Sequence, residues 1–333
     1  MNAVPELVCP AGALPALRAA VDNGADWVYF GLRDNTNARN FAGLNFDERT
    51  AREGIRHAHN AGAKTILAIN TFPQAGTWER WHRAIDAAAN IGVDAIILAD
   101  PGLMRYAAQR HPTLPLHLSV QASATNFEAI NLYREQFGVC RAVLPRVLSL
   151  TQVEQVIKNT EVEIEVFGFG SLCVMVEGRC VLSSYATGTS PNTGGVCSPA
   201  KSVRWEPAGD RMNVRLDGVL IDQFESGESA GYPTICKGRY TVADETYYAI
   251  EEPSSLNALE LLPQLAAMGV AAIKIEGRQR SPAYVAEVTR VWREAIDECG
   301  AGRFSVKPQW QAGLDKIAEG TQHTLGAYNR KWK

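Results

Sequence analysis

Short β-branched runs alternate with longer amphipathic segments along this 333-residue chain, and the count of eight predicts an α/β protein closed into a (β/α)8 TIM-type barrel. Two further observations favour closure over an open, doubly wound sheet. The turn after the first strand reads Pro10-Ala11-Gly12-Ala13, which is not the G-x-G-x-x-G that such a sheet places there. The alternation breaks once, at 171–254, and removing those 84 residues from 333 leaves 249, close to the ~250 of a barrel.

The elements follow in order. Strands are predicted over Glu6–Cys9 and Asp26–Leu32; between them Leu14, Leu17, Ala20 and Val21 recur at helical spacing and Gly24 supplies a stop. The pattern predicts further strands over Lys64–Asn70, Ala95–Asp100, Leu116–Gln121, Arg141–Arg146, Glu163–Gly168 and Ala272–Glu276. Helices are predicted at about 47–61, 77–91, 101–111, 124–137, 149–159, 255–268 and 281–299. The last is the clearest: Ser281 as N-cap, Pro282 at the first helical position, and Tyr284, Val285, Val288, Val291, Trp292, Ala295 and Ile296 on one face. The expected organisation is seven barrel strands over 1–170, a cysteine-bearing insertion after strand seven over 171–254, the last barrel units over 255–300, and a C-terminal arm over 301–333. That arm holds a short helix near Leu314–Ala318 and a basic end, Asn329–Lys333, and is read as a packing or partner arm.

Composition excludes several classes. With 46% hydrophobic and 21% charged residues the usage is globular. No apolar stretch reaches the roughly 18 residues of a membrane span, and the N-terminus lacks a basic region before an apolar run; a soluble, cytoplasmic protein is expected. Seven cysteines is an odd number, and without a secretory signal reduced thiols are a better reading than a disulfide framework. A net charge of −3 and a pI near 6.1 weigh against a nucleic-acid partner.

Four cysteines, Cys173, Cys180, Cys197 and Cys236, fall in the insertion, separated by six, sixteen and thirty-eight residues. A loop leaving the carboxyl end of a barrel strand lies on the face where such enzymes carry their active sites. Asn70, Asp100, Gln121, Arg146 and Glu276 end strands on the same face, although Asp100, directly before Pro101, also reads as a helix cap. Zinc sites usually pair ligands as C-x₂₋₄-C knuckles, and neither C-x₂-C nor C-x₄-C occurs. The wide gaps suit a larger cluster; spacing alone leaves zinc and iron–sulfur both open. Glycines (Gly170, Gly178, Gly194, Gly195, Gly231, Gly238) and the cations Arg179, Lys201, Arg204, Lys237 and Arg239 crowd these thiols, as a thiolate-bound group needs. Cys9, Cys140 and Cys299 are read as ordinary small buried residues.

The run Glu165-x-Phe167-x-x-Gly170-Ser171-Leu172-Cys173-x₄-Gly178-x-Cys180-x-Leu182-Ser183 resembles the signature of the collagenase-like U peptidase family at every fixed position. Asp34–Phe46, Ser119–Asn126 and Lys274–Val285 are similar to family members acting in oxygen-independent ubiquinone biosynthesis. The resemblance implies a 4Fe–4S cluster on Cys173, Cys180, Cys197 and Cys236. It also implies a heterodimer with a second, UbiV-like member and hydroxylation of a ubiquinone precursor without dioxygen, with prephenate as oxygen donor. The partner type draws one ligand from early in the chain, where this sequence offers only Cys9 inside strand one.

A hydrolytic reading is the alternative, a cysteine or metal-dependent peptidase. No H-E-x-x-H or G-x-S-x-G occurs, and His57, His59, His82, His111, His117 and His323 form no motif. Oxygen transfer from a carboxylated donor needs cations to hold it. Arg146, Lys274 and Arg278 are the candidate donor-binding residues and Glu276 the candidate acid or base, against the alternative of a charge network closing the barrel mouth.

Overall fold

The computed structural model describes residues 4–329 apart from Val176, Gly178, Ser229 and Thr321; Gly178 of the signature and the basic end Arg330–Lys333 lie outside the described residues. The chain runs β1 (Glu6–Pro10), α1 (Leu14–Asp22), β2 (Trp27–Gly31), α2 (Glu48–Asn60), β3 (Lys64–Ile69), α3 (Trp78–Ile91), β4 (Ala95–Leu98), α4 (Pro101–Arg110), β5 (Leu116–Leu118), α5 (Phe127–Phe137), β6 (Val139–Val143), α6 (Leu150–Lys158) and β7 (Glu163–Ser171). After α7 (Val181–Thr187) and α8 (Pro191–Gly194) come the strands β8 (Val203–Ala208), β9 (Arg211–Leu216), β10 (Val219–Phe224), β11 (Arg239–Val242), β12 (Glu245–Tyr248) and β13 (Ser254–Asn257). The chain closes with α9 (Leu262–Met268), β14 (Ala272–Ile275), α10 (Pro282–Gly300), α11 (Pro308–Asp315) and β15 (Gln322–Thr324).

Strands β1 to β7 pair in sequence order, and β14 pairs parallel with both β1 and β7. The eight strands therefore close into a parallel barrel ringed by helices, as the alternation predicts. Short polar residues set the helix starts. Asp47 and Ser149 form capping boxes with Thr50 and Gln152, Asn126 accepts from Ala129 N at 2.9 Å, and Asp100 accepts from Leu103 N at 3.0 Å, so Asp100 is a cap. Helix α10 buries the seven residues its periodicity marks, with Ser281 as N-cap.

Several boundaries move. The stretch 255–268 does not open as a helix: β7 overruns the barrel, and β13 pairs antiparallel with its end, Ser255 opposite Ser171 and Asn257 opposite Phe169. Backbone groups left open by the longer strand take a partner before the chain turns into α9. The strand expected to end at Arg146 stops at Val143, and the one expected to reach Gln121 stops at Leu118, with a 3₁₀ turn over Val120–Ala122; Arg146 and Gln121 thus sit on loops. The helix expected from 124 starts at Phe127. In the arm the helix lies at Pro308–Asp315, not near 314–318, because Pro308 starts it. Trp310 and Leu314 bury against the barrel, β15 adds to β13, and Tyr328 Oη donates to Phe167 O at 2.7 Å, so this arm packs on its own chain.

Within 172–253 the chain forms two small antiparallel sheets, β10-β9-β8 and β11-β12, separate from the barrel sheet. Among the described residues, no helix is long and apolar enough to cross a membrane.

Candidate active site at the barrel mouth

The carboxyl ends of the strands and their loops line a pocket that opens to solvent. One wall is apolar, made by Ala68, Ile97, Val143 and Phe167; Asn70, Ser119 and Gln121 supply neutral polar groups; Arg39, Arg146, Lys274 and Arg278 face Glu177 and Glu276, and Cys173 completes the lining. All four residues singled out for donor binding or acid–base work therefore meet in one place, beside one of the four clustered cysteines.

Their surroundings differ. Arg278 is 4% exposed and donates from Nη1 to Asn37 Oδ1 at 2.8 Å. It has no carboxylate within ion-pair distance among the described residues. Burial outweighs the pull of Tyr29 and Glu276 and lowers its guanidinium from 12.5 to about 10. Two glycines permit this placement. A Cβ on Gly12 would lie 1.8 Å from Arg278 O, and a Cβ on Gly170, which has φ +129°, would lie 2.5 Å from Glu276 Cβ; only glycine allows both approaches. Gly170 of the signature run is thereby a packing requirement of the Glu276-Gly277-Arg278 turn.

Lys274 is committed. Its Nζ is 2.6 Å from Glu165 Oε1 and 3.9 Å from the Tyr29 ring centre, and burial lowers its ammonium below the usual value despite Glu165. Arg146 pairs with Glu177 at 3.0 Å, donates to Ser171 O and lies 4.3 Å above the Phe167 ring. Glu276 is buried, which raises a carboxyl. The charges of Arg39 and Arg146, with hydrogen bonds from Gln279 at 3.1 Å and Ser171 N at 3.4 Å, prevail and hold it below its usual range. Glu276 is therefore ionised near neutrality: a proton acceptor, not an acid.

Arg39 is the residue that sequence reasoning missed. It sits at φ 77°, lies 3.5 Å from Glu276 Oε1, and has its charged form favoured against burial by Glu276, Cys197 and Cys173. Its amide donates to Gly195 O at 2.6 Å, joining the 34–46 loop to the Cys197 loop, while Asn70 Oδ1 accepts from Ala38 N at 2.9 Å. The signal was present, since Arg39 lies inside the Asp34–Phe46 match, but its strand end carries no polar residue of its own.

Cys173, Cys180, Cys197 and Cys236 are all free thiols. They share one electrostatic neighbourhood: Cys236 with Cys173 and Cys197, Cys180 with Cys197, and Arg39 with Cys173 and Cys197. Among the described residues no three His, Cys, Asp or Glu side chains converge closely enough for a single metal ion. Backbone N–H groups point at the sulfurs, Met175 at Cys173 and Leu182 and Ser183 at Cys180, the Ser183 bond at 3.3 Å. Soft donors with N–H partners are the ligand type that a thiolate-held group needs. Burial raises the thiols of Cys173 and Cys180 and takes Cys236 to about 11, so ligation must displace protons.

The remaining cysteines are poor nucleophiles. Cys9 is buried in β1 with its thiol pushed up to about 12, whereas Cys140 is exposed on β6 and Cys299 half-buried on α10; only Cys9 is the buried residue expected of all three. His57, His59 and His111 pair with Asp22, Asp94 and Asp86, and no histidine among the described residues hydrogen-bonds a cysteine.

The description Peptidase family U32 matches residues 12–331. The chain belongs to this family. Among its relatives, "tRNA hydroxylation protein P" of Escherichia coli is 34% identical over 96% of this chain and 72% of the relative. "tRNA hydroxylation protein P1" of Bacillus subtilis is 32% identical over 94% and 68%, and "Collagenase" of Porphyromonas gingivalis is 29% identical over 90% and 67%.

Proposed function

We propose that this U32 member is a UbiU-type iron–sulfur subunit of an oxygen-independent hydroxylase of the ubiquinone ring. It would act with a UbiV-like partner on a ubiquinone precursor, with prephenate as oxygen donor. The observation that carries the reading is that Cys173 lines the same pocket as Arg278, a buried arginine with no carboxylate partner among the described residues. Cys173, Cys180, Cys197 and Cys236 would hold the 4Fe–4S cluster, which supplies one-electron redox chemistry when bound. Arg278 takes a donor carboxylate, because an unpaired buried cation gains most from an anion in a water-poor site. Arg146 holds its charge beside it on Glu177, Lys274 lines the floor of the same pocket, and the apolar wall accepts a ring. Glu276, ionised and fixed by Arg39, accepts the proton a hydroxylated ring carbon must lose.

A second reading, hydroxylation of a tRNA base, is favoured by the names of the Escherichia coli and Bacillus subtilis relatives; the net charge of −3 opposes it, since phosphate binding draws on basic surface. A peptidase reading has the family's name and that of the Porphyromonas gingivalis relative, but among the described residues no histidine hydrogen-bonds a cysteine.

The test is anaerobic. Purified protein should contain iron and acid-labile sulfide, Cys173→Ser should lose them and Cys299→Ser should not; equal behaviour of the two variants sinks the ligand set. In anaerobic cells lacking the wild-type chain, Arg278→Met should lose ring-hydroxylated quinone with its cluster retained. Loss of a hydroxylated tRNA nucleoside with normal quinone would instead establish the RNA reading.

A further inference from the structure

Below the mouth pocket the barrel interior carries a second polar system. Trp27 on β2, His117 on β5, Arg141 on β6 and Glu165 on β7 are each less than 9% exposed. Each holds a buried polar atom with no hydrogen-bond partner among the described residues: Nε1, Nδ1, Nη1 and Oε2 respectively. The four are contiguous. The Trp27 and His117 ring centres lie 5.6 Å apart, and the Arg141 guanidinium is 5.2 Å from the Trp27 ring centre. Arg141 Nη1 stands 3.9 Å from Glu165 Oε2, too far for a direct hydrogen bond, while the other Glu165 oxygen meets Lys274 at 2.6 Å.

An orphaned buried polar group costs about 1–3 kcal/mol, and four from four strands in one place call for a shared occupant. Two donors, one acceptor and an imidazole nitrogen form the partner set of water. An ion fits less well, because Arg141 and Lys274 already face Glu165, with Glu6 and Glu163 on the outer side of Arg141. The system also opens at both ends. Trp27, His117 and Arg141 line an open cleft at the amino ends of the strands, and Lys274 lines the mouth pocket.

We infer that water held by these four residues forms, with Lys274, a proton relay through the barrel axis from the amino-end cleft to the mouth pocket. Lys274 gives a proton from Nζ to an oxygen of a bound ligand, so that an N–H bond breaks and an O–H bond forms. The neutral amine is reprotonated through Glu165 and its water, and His117 passes in the replacement proton taken from solvent at the cleft. No electron moves, and one solvent proton is consumed. Burial, which lowers the Lys274 ammonium and keeps His117 neutral with help from the Arg141 charge, eases both transfers. The relay serves the pocket whichever ligand it binds.

Two measurements on the full chain decide it. A crystal structure that resolves waters should show one bridging Arg141 Nη1 and Glu165 Oε2; a dry interior overturns the inference. In protein labelled with ¹⁵N-lysine, His117→Leu should slow solvent exchange of the Lys274 Nζ protons about tenfold, equivalent to ~1.4 kcal/mol, and His117→Gln should restore it. Trp27→Phe, which removes one hydrogen-bonding atom and keeps the ring, should slow exchange less. Unchanged exchange in both His117→Leu and Trp27→Phe means that Lys274 exchanges through the mouth alone and overturns the relay.

Discussion

Arg141 and Arg278 are both 4% exposed, yet their guanidinium pKa values move in opposite directions. At the amino end of the barrel Arg141 is surrounded by Glu6, Glu163 and Glu165, and its charged form is favoured in spite of burial. At the mouth Arg278 has the neutral Asn37 and the face of Tyr29, and burial wins. Burial alone does not set the direction of the shift. What separates them is whether the described residues supply the counter-charge: Arg141 has three carboxylates near it, and Arg278 has none within ion-pair distance.

The comparison can be broken by substitution. The largest effect should come from Arg141→Met, which removes the counter-charge shared by Glu6, Glu163 and buried Glu165 and should cost about 3–5 kcal/mol in urea unfolding, whereas Arg278→Met should leave the midpoint close to wild type and remove protection against thermal unfolding by small carboxylates. If both variants unfold alike, the distinction fails. Lys274→Met should cost about 3 kcal/mol by leaving Glu165 with less compensation, and Glu165→Leu added to it should recover most of that loss, because an excised buried pair is nearly neutral where a broken one is not.

A smaller, pH-dependent effect belongs to Glu276. Its folded carboxyl lies below the unfolded value of 4.5, so its stabilisation is complete above pH 4.5 and is lost as pH falls through the folded value. The stability gap between wild type and Glu276→Gln should be constant near neutrality and close on acidification below pH 4.5; a gap that widens on acidification would mean the carboxyl is raised. The smallest effect should be Asp100→Ala, about 1 kcal/mol from the loss of a helix cap, with the mouth unchanged in ligand binding.

The barrel was legible because β-branched runs and helical periodicity are local properties, and each strand faces helices on its outside. Capping residues were legible for the same reason: Asp100 before Pro101 acts on a backbone amide three residues away. The antiparallel β13 was not, since Ser254–Asn257 becomes a strand only where β7 projects beyond its neighbours. Arg146 read as the end of a strand, although the strand stops at Val143 and the arginine is held by Glu177 and Ser171 O. Arg39 escaped because its position in the mouth depends on Gly195 and Asn70, contacts distant in sequence.

The sequence by itself determined the alternation that makes the barrel, the four cysteines after β7 and the polar residues near the strand ends. Those follow from side-chain chemistry and from spacing along the chain. Only the tertiary structure decided which charges are spent. Lys274, Arg146 and Arg278 look alike as cations at the ends of strands, and the fold gives Glu165 to the first and Glu177 to the second. The third has no carboxylate among the described residues. Counter-charge is a matter of distance across strands, and spacing along the chain does not record it.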